Sequence, residues 1–278
     1  MEKHHKRKVL YWTVGILVCV GVLATLTAFW LYSGVASGAR LQTLTWLGAP
    51  LGTVGDEYIE ARDLEYFTLL GTSAGVGGPT AALVNELRLE VVAQQYNIQL
   101  SADEINATVA ELRAGDTRYA SFEQQYGPDV AARAFARPYA YTNALRIAYM
   151  KQGLEPALTR KLQSVYQRLD SDEAWRNIAA KESDDLATSW SGGDVGYVDL
   201  TQAIPEYRQA VGGLPLHSPA VIYSRYGAHI AEVLNRLDKD GTELTQLREI
   251  VLRPQGFEDW LADQTATVPV KWYVRLSV

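Results

Sequence analysis

The sequence predicts an α+β protein. It has an N-terminal transmembrane helix and a mostly helical module, into which a domain with a small antiparallel-type sheet and flanking helices is inserted. Three observations lead to this prediction. An uncharged apolar run occupies residues 10–32, helical periodicity dominates as far as Met150, and β-prone runs separated by turn residues follow Gly192. A composition that is 47% apolar and 21% charged indicates a chain that folds.

Residues 10–32 have the length and character of a membrane anchor. The stretch carries no charge, and about 20 apolar residues are needed to cross a hydrocarbon core of about 30 Å. Residues 2–8 before it carry four bases and one acid, which predicts a cytoplasmic N-terminus and an extracytoplasmic body, either periplasmic or extracellular. A cleaved signal peptide is the alternative, because small residues follow at 33–37.

Charge and cysteine content argue against several classes of protein. The net charge is −6 and residues 2–8 contribute +3, so the remainder carries −9. An acidic body argues against nucleic-acid binding. The single cysteine, Cys19, lies in the apolar run, and two of the four histidines lie in the tail. We therefore expect no disulfide, no metal site and no cofactor.

Local signals mark the elements of the helical module. Gly55-Asp56 between β-prone residues predicts a hairpin over 53–59. Ser101 and Glu104 form a capping-box sequence that predicts the start of a helix. Apolar periodicity indicates a helix over about residues 62–70 and another over about 83–97, further helical segments over about 122–150, and a pair of helices over about 158–169 and 175–179.

After Gly192 the pattern changes from helical to β-prone. Gly192–Gly196 reads as a turn that leads into a strand ending near Val198. Further β-branched or apolar runs predict strands over 220–223, 228–234 and 247–252. A helix over 257–263 and a strand-like segment over 268–276 complete the chain.

From Leu158 to Leu234 the chain resembles a parvulin-type peptidyl-prolyl isomerase domain, of the PpiC or rotamase kind. Four motifs occur in the family's order: Trp175-Arg176-Asn177-Ile178-Ala179, Ser183-Asp184-Asp185, Gly192-Gly193-Asp194-Val195-Gly196, and Ser218-Pro219-Ala220-Val221 with Ser224–Ile230. Each fragment is a weak signal by itself, and their common order makes the resemblance specific.

The flanking segments resemble the SurA/PrsA type of foldase, at Val54–Ile59 and Ala93–Glu104. In this family, chain from beyond the isomerase closes the chaperone module, which implies that role for Phe257–Leu261. The expected organisation is a cytoplasmic tail (1–9), an anchor (10–32), a linker (33–47), a SurA-N-like chaperone module (48–155 with 254–278) and a parvulin-like domain (156–253).

The resemblance implies a site on the parvulin-like domain. His229 takes the place of the family's second histidine, Asp185 that of its acidic partner and Ser224 that of its hydroxyl. Tyr207 would line the proline pocket. From the residues alone, His229 and Tyr207 can equally be core side chains, Asp185 a turn residue and Ser224 a strand-end hydroxyl.

The sequence departs from the family at its first strand. Parvulins begin with a strand that carries a histidine, and residues 141–160 contain none. The nearest match is Arg248–Leu252, with Glu249 at the histidine position. We hypothesise that Leu247–Leu252 fills the vacant central-strand position beside the strand of His229. Because a carboxylate there favours the charged form of His229, we expect isomerase activity to be weak or lost.

The resemblance implies a membrane-anchored, extracytoplasmic folding factor that binds unfolded or proline-containing exported polypeptides. A non-catalytic scaffold or assembly factor that uses the parvulin fold to bind peptides is the alternative. A hydrolase is disfavoured, because the sequence shows no evident serine nucleophile for His229.

Overall fold

The computed structural model describes residues 20–36, 38–68 and 78–276. Its helices are α1 (Ala39–Leu47), α2 (Ala61–Thr68), α3 (Gly78–Gln95), α4 (Ala102–Gly115), α5 (Thr117–Tyr126), α6 (Pro128–Ala131), α7 (Arg137–Lys151), α8 (Pro156–Gln167), α9 (Asp172–Glu182), α10 (Pro205–Gly212) and α11 (Phe257–Thr267). Its strands are β1 (Val35–Ala36), β2 (Pro50–Val54), β3 (Glu57–Glu60), β4 (Asp194–Asp199), β5 (Ala220–Ser224), β6 (Gly227–Lys239), β7 (Thr242–Leu252), β8 (Val270–Trp272) and β9 (Arg275–Leu276).

These elements form two compact units. The first comprises the described residues up to Val91, Asp116–Ala134 and the described residues from Thr267 onward. The second comprises Val92–Gly115 and Phe135–Ala266. The predicted α+β class with small antiparallel sheets is confirmed, whereas the family-based module boundaries stay a prediction.

The first unit contains two small sheets. In one, β2 pairs antiparallel with both β3 and β8, and in the other β1 pairs parallel with β9. The predicted hairpin is confirmed, because β2 and β3 flank the Gly55-Asp56 turn. The segment predicted as one strand-like run over 268–276 consists of two short strands in different sheets.

Residues 20–32 form a helix. The first part of the predicted anchor, residues 10–19, lies outside the described residues. Among residues 20–36, 38–68 and 78–276, no helix is both long enough and apolar enough to cross a membrane. Within the segment predicted as a linker over 33–47, Ala39–Leu47 forms α1, whose Leu44 is fully buried. The linker assignment stays a prediction.

In the second unit, one helix begins where local chemistry predicts and another extends beyond its predicted end. Ser101 and Glu104 make the reciprocal bonds of a capping box at the start of α4: the Ser101 N–H donates to Glu104 Oε2 (2.8 Å) and the Glu104 N–H donates to Ser101 Oγ (3.2 Å). Helix α11 runs four residues beyond its predicted end, and its Phe257 and Trp260 pack against Tyr149 of α7.

A four-stranded antiparallel sheet in the order β4-β7-β6-β5 forms the centre of the second unit. The hypothesis that Leu247–Leu252 pairs with the strand of His229 is confirmed, because His229 on β6 lies opposite Val251 on β7. Strands β6 and β7 are longer than predicted and join at Asp240-Gly241, where both residues have positive φ. That dipeptide is a strong hairpin signal, which the sequence analysis missed.

Candidate functional site

One face of the four-stranded sheet presents the predicted site residues together. Ile222, His229 and Val251 are aligned across β5, β6 and β7, and Ala231 lies opposite Glu249 two pairs further along. Because alternate residues of a strand share a face, His229 and Glu249 point to the same side. Helix α10 covers this face, and it contributes Tyr207 and the buried Val211 to the core beneath it.

Four side chains on this face form one hydrogen-bonded chain, which we call the His229 chain: Ser224, His229, Glu249 and Tyr207. Ser224 Oγ lies 2.7 Å from His229 Nε2, and His229 Nδ1 lies 2.9 Å from Glu249 Oε2. The Tyr207 hydroxyl donates to the same Oε2 at 2.7 Å. With Nδ1–H donating to Glu249, Nε2 accepts from the Ser224 hydroxyl, so a neutral imidazole satisfies every bond of the chain.

Burial makes the His229 chain largely inaccessible to solvent. Ser224 is 0% exposed and His229 is 5% exposed, while the Glu249 side chain retains 14%. Burial raises the pKa of Tyr207 far above its ordinary value, and the carboxylates of Glu249 and Asp185 raise it further. Tyr207 therefore stays protonated and remains a donor to Glu249.

Asp185 is not hydrogen-bonded to the His229 chain in the described contacts. Its carboxylate accepts from the Ala187 N–H (3.1 Å) and the Thr188 hydroxyl (2.5 Å), which is the bonding of a turn residue. It acts on the chain only through its charge on Tyr207. The same motif fixes the end of β7, because Ser183 Oγ accepts from the Val251 N–H and Asp184 Oδ2 from the Arg253 N–H.

Ser224, the predicted site hydroxyl, contacts His229, and Ser224, His229 and Glu249 have the connectivity of a Ser-His-carboxylate triad. The contact depends on the register of the β5–β6 hairpin. Ser224 is nevertheless fully buried and accepts from the Tyr226 N–H at 3.0 Å. Because a nucleophile must reach its substrate, the arrangement does not support a hydrolase.

Arg225, which the sequence analysis did not single out, secures the site from the β5–β6 turn. Its guanidinium donates to both oxygens of Glu111 (2.7 and 2.6 Å) and to both oxygens of Glu206 (2.8 and 3.1 Å). Burial acts to raise the Glu206 pKa, but the bonds from Arg225 outweigh it and hold that pKa below its ordinary value. Since Glu206 precedes Tyr207, Arg225 is a positioning residue for the His229 chain.

Gly193 explains why the family motif needs glycine beside this site. The residue has φ +80°, and a Cβ added to it would lie 2.3 Å from the Glu249 carbonyl oxygen. The Glu249 N–H in turn donates to the Gly193 carbonyl at 2.8 Å. The turn thus approaches β7 closely enough to hold the backbone of Glu249.

Comparisons with known proteins agree with the resemblance. Residues 139–237 match the family model described as PPIC-type PPIASE domain. Chaperone SurA of Pseudomonas fluorescens (strain Pf0-1) is 29% identical over 130 residues, covering 45% of this chain and 30% of that protein. Chaperone SurA of Legionella pneumophila (strain Lens) is 28% identical over 92 residues, covering 33% and 21%. The chain therefore spans less than a third of the length of these curated relatives.

A solved structure of the peptidylprolyl isomerase PrsA from Bacillus anthracis aligns over 66% of this chain and 87% of that chain. The identity is 14% and the TM-score is 0.22. A similarity of this size carries no argument about the fold.

The matched region contains four of the five predicted site residues, Asp185, Tyr207, Ser224 and His229. Glu249 comes from β7, beyond the end of the match. The roles of these residues in catalysis or peptide binding stay predictions. Residues 139–237 thus match a parvulin-type, PPIC-type peptidyl-prolyl isomerase domain, and the chain is similar to the chaperone SurA over part of its length.

Proposed function

We propose that the protein is an extracytoplasmic folding factor, anchored in the membrane through residues 10–32, that binds unfolded or proline-containing exported polypeptides and isomerises their X–Pro bonds weakly. The His229 chain supports this proposal, because it lies on the sheet face of a PPIC-type domain. Glu249 takes the position of the family's first histidine there. The chaperone relatives supply the link to unfolded polypeptides.

The geometry gives a reason for weak catalysis. Rotation about a peptide bond meets a barrier of about 18–20 kcal/mol that arises from amide resonance. Lowering it requires a pocket that holds the twisted amide and weakens its conjugation. Both nitrogens of His229 are engaged, one with Ser224 and one with Glu249. A substrate must therefore displace one of these bonds before the imidazole acts on the amide.

The non-catalytic scaffold is the second candidate, and the same burial favours it. With His229 buried and its nitrogens engaged, the domain would bind a peptide without acting on it.

NMR exchange spectroscopy on X–Pro peptides distinguishes these functions. With the full chain in lipid nanodiscs, we expect line broadening from peptide binding and faster cis/trans exchange. Replacing His229 by alanine is expected to abolish the acceleration, because it removes the imidazole at the centre of the His229 chain. His217→Ala is the matched control, since the His217 side chain is 69% exposed. Binding without acceleration would favour the scaffold, and no binding by any peptide would refute both functions.

Restoring a histidine at position 249 tests the assignment of that position. The Glu249→His variant lacks the carboxylate that is hydrogen-bonded to His229 Nδ1 and to the Tyr207 hydroxyl. We expect exchange to accelerate about tenfold over the natural chain, which corresponds to about 1.4 kcal/mol of barrier. Glu243→His, at an exposed position of the same strand, should leave the rate unchanged. Equal rates in all three proteins would contradict the assignment.

A further inference from the structure

Four aromatic residues belong to the end of the helix formed by residues 20–32 and to the segments of the first unit that adjoin it. Trp30 belongs to its last turn, Trp46 to the end of α1, and Trp272 and Tyr273 to the segment around β8. Three bases belong to the same part of the first unit: Arg40, Lys271 and Arg275. We call these seven residues the collar.

Contacts within the first unit bring the collar together. The Arg40 guanidinium lies 5.1 Å from the Trp30 ring, and the Tyr32 hydroxyl donates to the Pro50 carbonyl just after α1. Both flanks of α1 therefore contact the end of the helix of residues 20–32. The C-terminal segment is bonded to the same region, because Arg275 pairs with Val35 and the Tyr273 N–H donates to the Leu51 carbonyl.

The aromatic side chains of the collar are exposed although they are largely apolar. Trp46 is 83% exposed and the adjacent Leu47 is 50% exposed, while Leu44 of the same helix is fully buried. Trp30, Trp272 and Tyr273 are each at least 36% exposed. An exposed group of large aromatic side chains marks an interaction surface.

Charge identifies the partner of this surface. Residues 33–55 and 267–278 contain the three collar bases and no acid, whereas the chain as a whole carries −6. The collar is thus a basic region on an acidic protein. Indole and phenol rings favour the membrane interface, and bases near the surface are attracted to anionic headgroups.

We propose that the collar lies in the headgroup layer of an anionic bilayer and seats the first unit directly on the membrane. This inference rests on the proposed anchoring through residues 10–32. The helix of residues 20–32 leads into the collar, and its Val20, Leu23, Leu26 and Phe29 are exposed. The apolar run continues through residues 10–19 before it, so the collar stands where the bilayer surface would lie.

Depth-dependent quenching tests the proposal. In the full chain with Cys19→Ser, a polarity-sensitive fluorophore is attached at Leu47→Cys. The control carries it at Leu186→Cys in the second unit, which is also 83% exposed. In vesicles of phosphatidylcholine and phosphatidylglycerol, lipids spin-labelled near the headgroup should quench most of the emission from position 47 and leave position 186 unaffected.

Flotation of the same vesicles separates failure of the collar from failure of the anchor. If the chain floats and position 47 is no better quenched than position 186, the collar does not enter the headgroup layer and the anchor stands. If the chain does not float, the anchoring is wrong and the collar proposal fails with it.

A separate set of variants tests whether the collar bases recognise anionic headgroups. Replacing Arg40, Lys271 and Arg275 together by glutamine should abolish the extra quenching at position 47 that anionic vesicles give over pure phosphatidylcholine. The control replaces three exposed bases of the second unit, Lys151, Arg160 and Lys181, by glutamine. An unchanged difference in the collar variant, or an equal loss in the control, would refute recognition by the collar bases.

Discussion

Replacing Arg225 by leucine is expected to lower the free energy of unfolding by about 3 kcal/mol, near the lower end of the range for removing one partner of a buried ion pair. The Arg225 side chain is 10% exposed and binds Glu111 and Glu206 at once. Leucine leaves both carboxylates without their cation. Hydrogen exchange of the most protected amides of β6 and β7 measures the loss.

An exposed ion pair of the same unit provides the control. Arg168 donates to Glu182 at 2.6 Å, but its side chain is 46% exposed. Arg168→Leu should therefore change the free energy of unfolding by less than about 1 kcal/mol. Equal losses of unfolding free energy in the two variants would show that the ion pairs of Arg225 contribute no more than an exposed surface pair.

The Arg225 contribution should also depend on pH. The Glu206 pKa lies below its ordinary value in the folded protein, so its stabilisation is present above the ordinary glutamate pKa. It is lost as the pH falls through the folded pKa. The difference between the natural chain and Arg225→Leu should therefore shrink on acidification. A difference that stays constant would exclude Glu206 as the partner that matters.

Replacing Gly193 by alanine is expected to lower the free energy of unfolding by about 3 kcal/mol. The left-handed backbone contributes about 1–2 kcal/mol to this loss, and forced repacking contributes about 1–3 kcal/mol. The added Cβ would meet the Glu249 carbonyl oxygen at 2.3 Å. The turn must then move away from β7, and the backbone that holds Glu249 moves with it. Urea denaturation followed by circular dichroism measures the stability.

Gly196 of the same motif is the matched control. It has φ +76°, close to that of Gly193, yet an added Cβ would meet nothing within 4 Å. Gly196→Ala should cost only the backbone preference, about 1 kcal/mol. If both variants lost the same stability, close approach to β7 would not be the reason for glycine at position 193.

Features encoded by neighbouring residues could be predicted from the sequence. The capping box at Ser101 and the hairpin at Gly55-Asp56 depend on side chains and turns within a few residues. The pairing of Leu247–Leu252 with β6 is a long-range feature, yet it could be predicted, because this sequence lacks the family's first strand at the expected place and Leu247–Leu252 matches that strand.

Features that depend on distant partners could not be predicted. Arg225 in a two-residue turn has the sequence pattern of a solvated side chain, and its partner Glu111 lies 114 positions away. The bond between Ser224 and His229 required the register of the hairpin, which sequence alone did not set. Asp185 occupies the family position for the acidic partner, but its own turn already satisfies its carboxylate.

The place of β7 in the sheet sets the order in which the site can assemble during synthesis. Strand β4 has β7 as its neighbour in the four-stranded sheet, although more than 40 residues separate the two in the chain. While the nascent polypeptide ends before Thr242, β4 has no strand to pair with and His229 has no Glu249 to bind. Translation must therefore pass Leu252 before the four-stranded sheet is complete and the hydrogen bond between His229 and Glu249 can form.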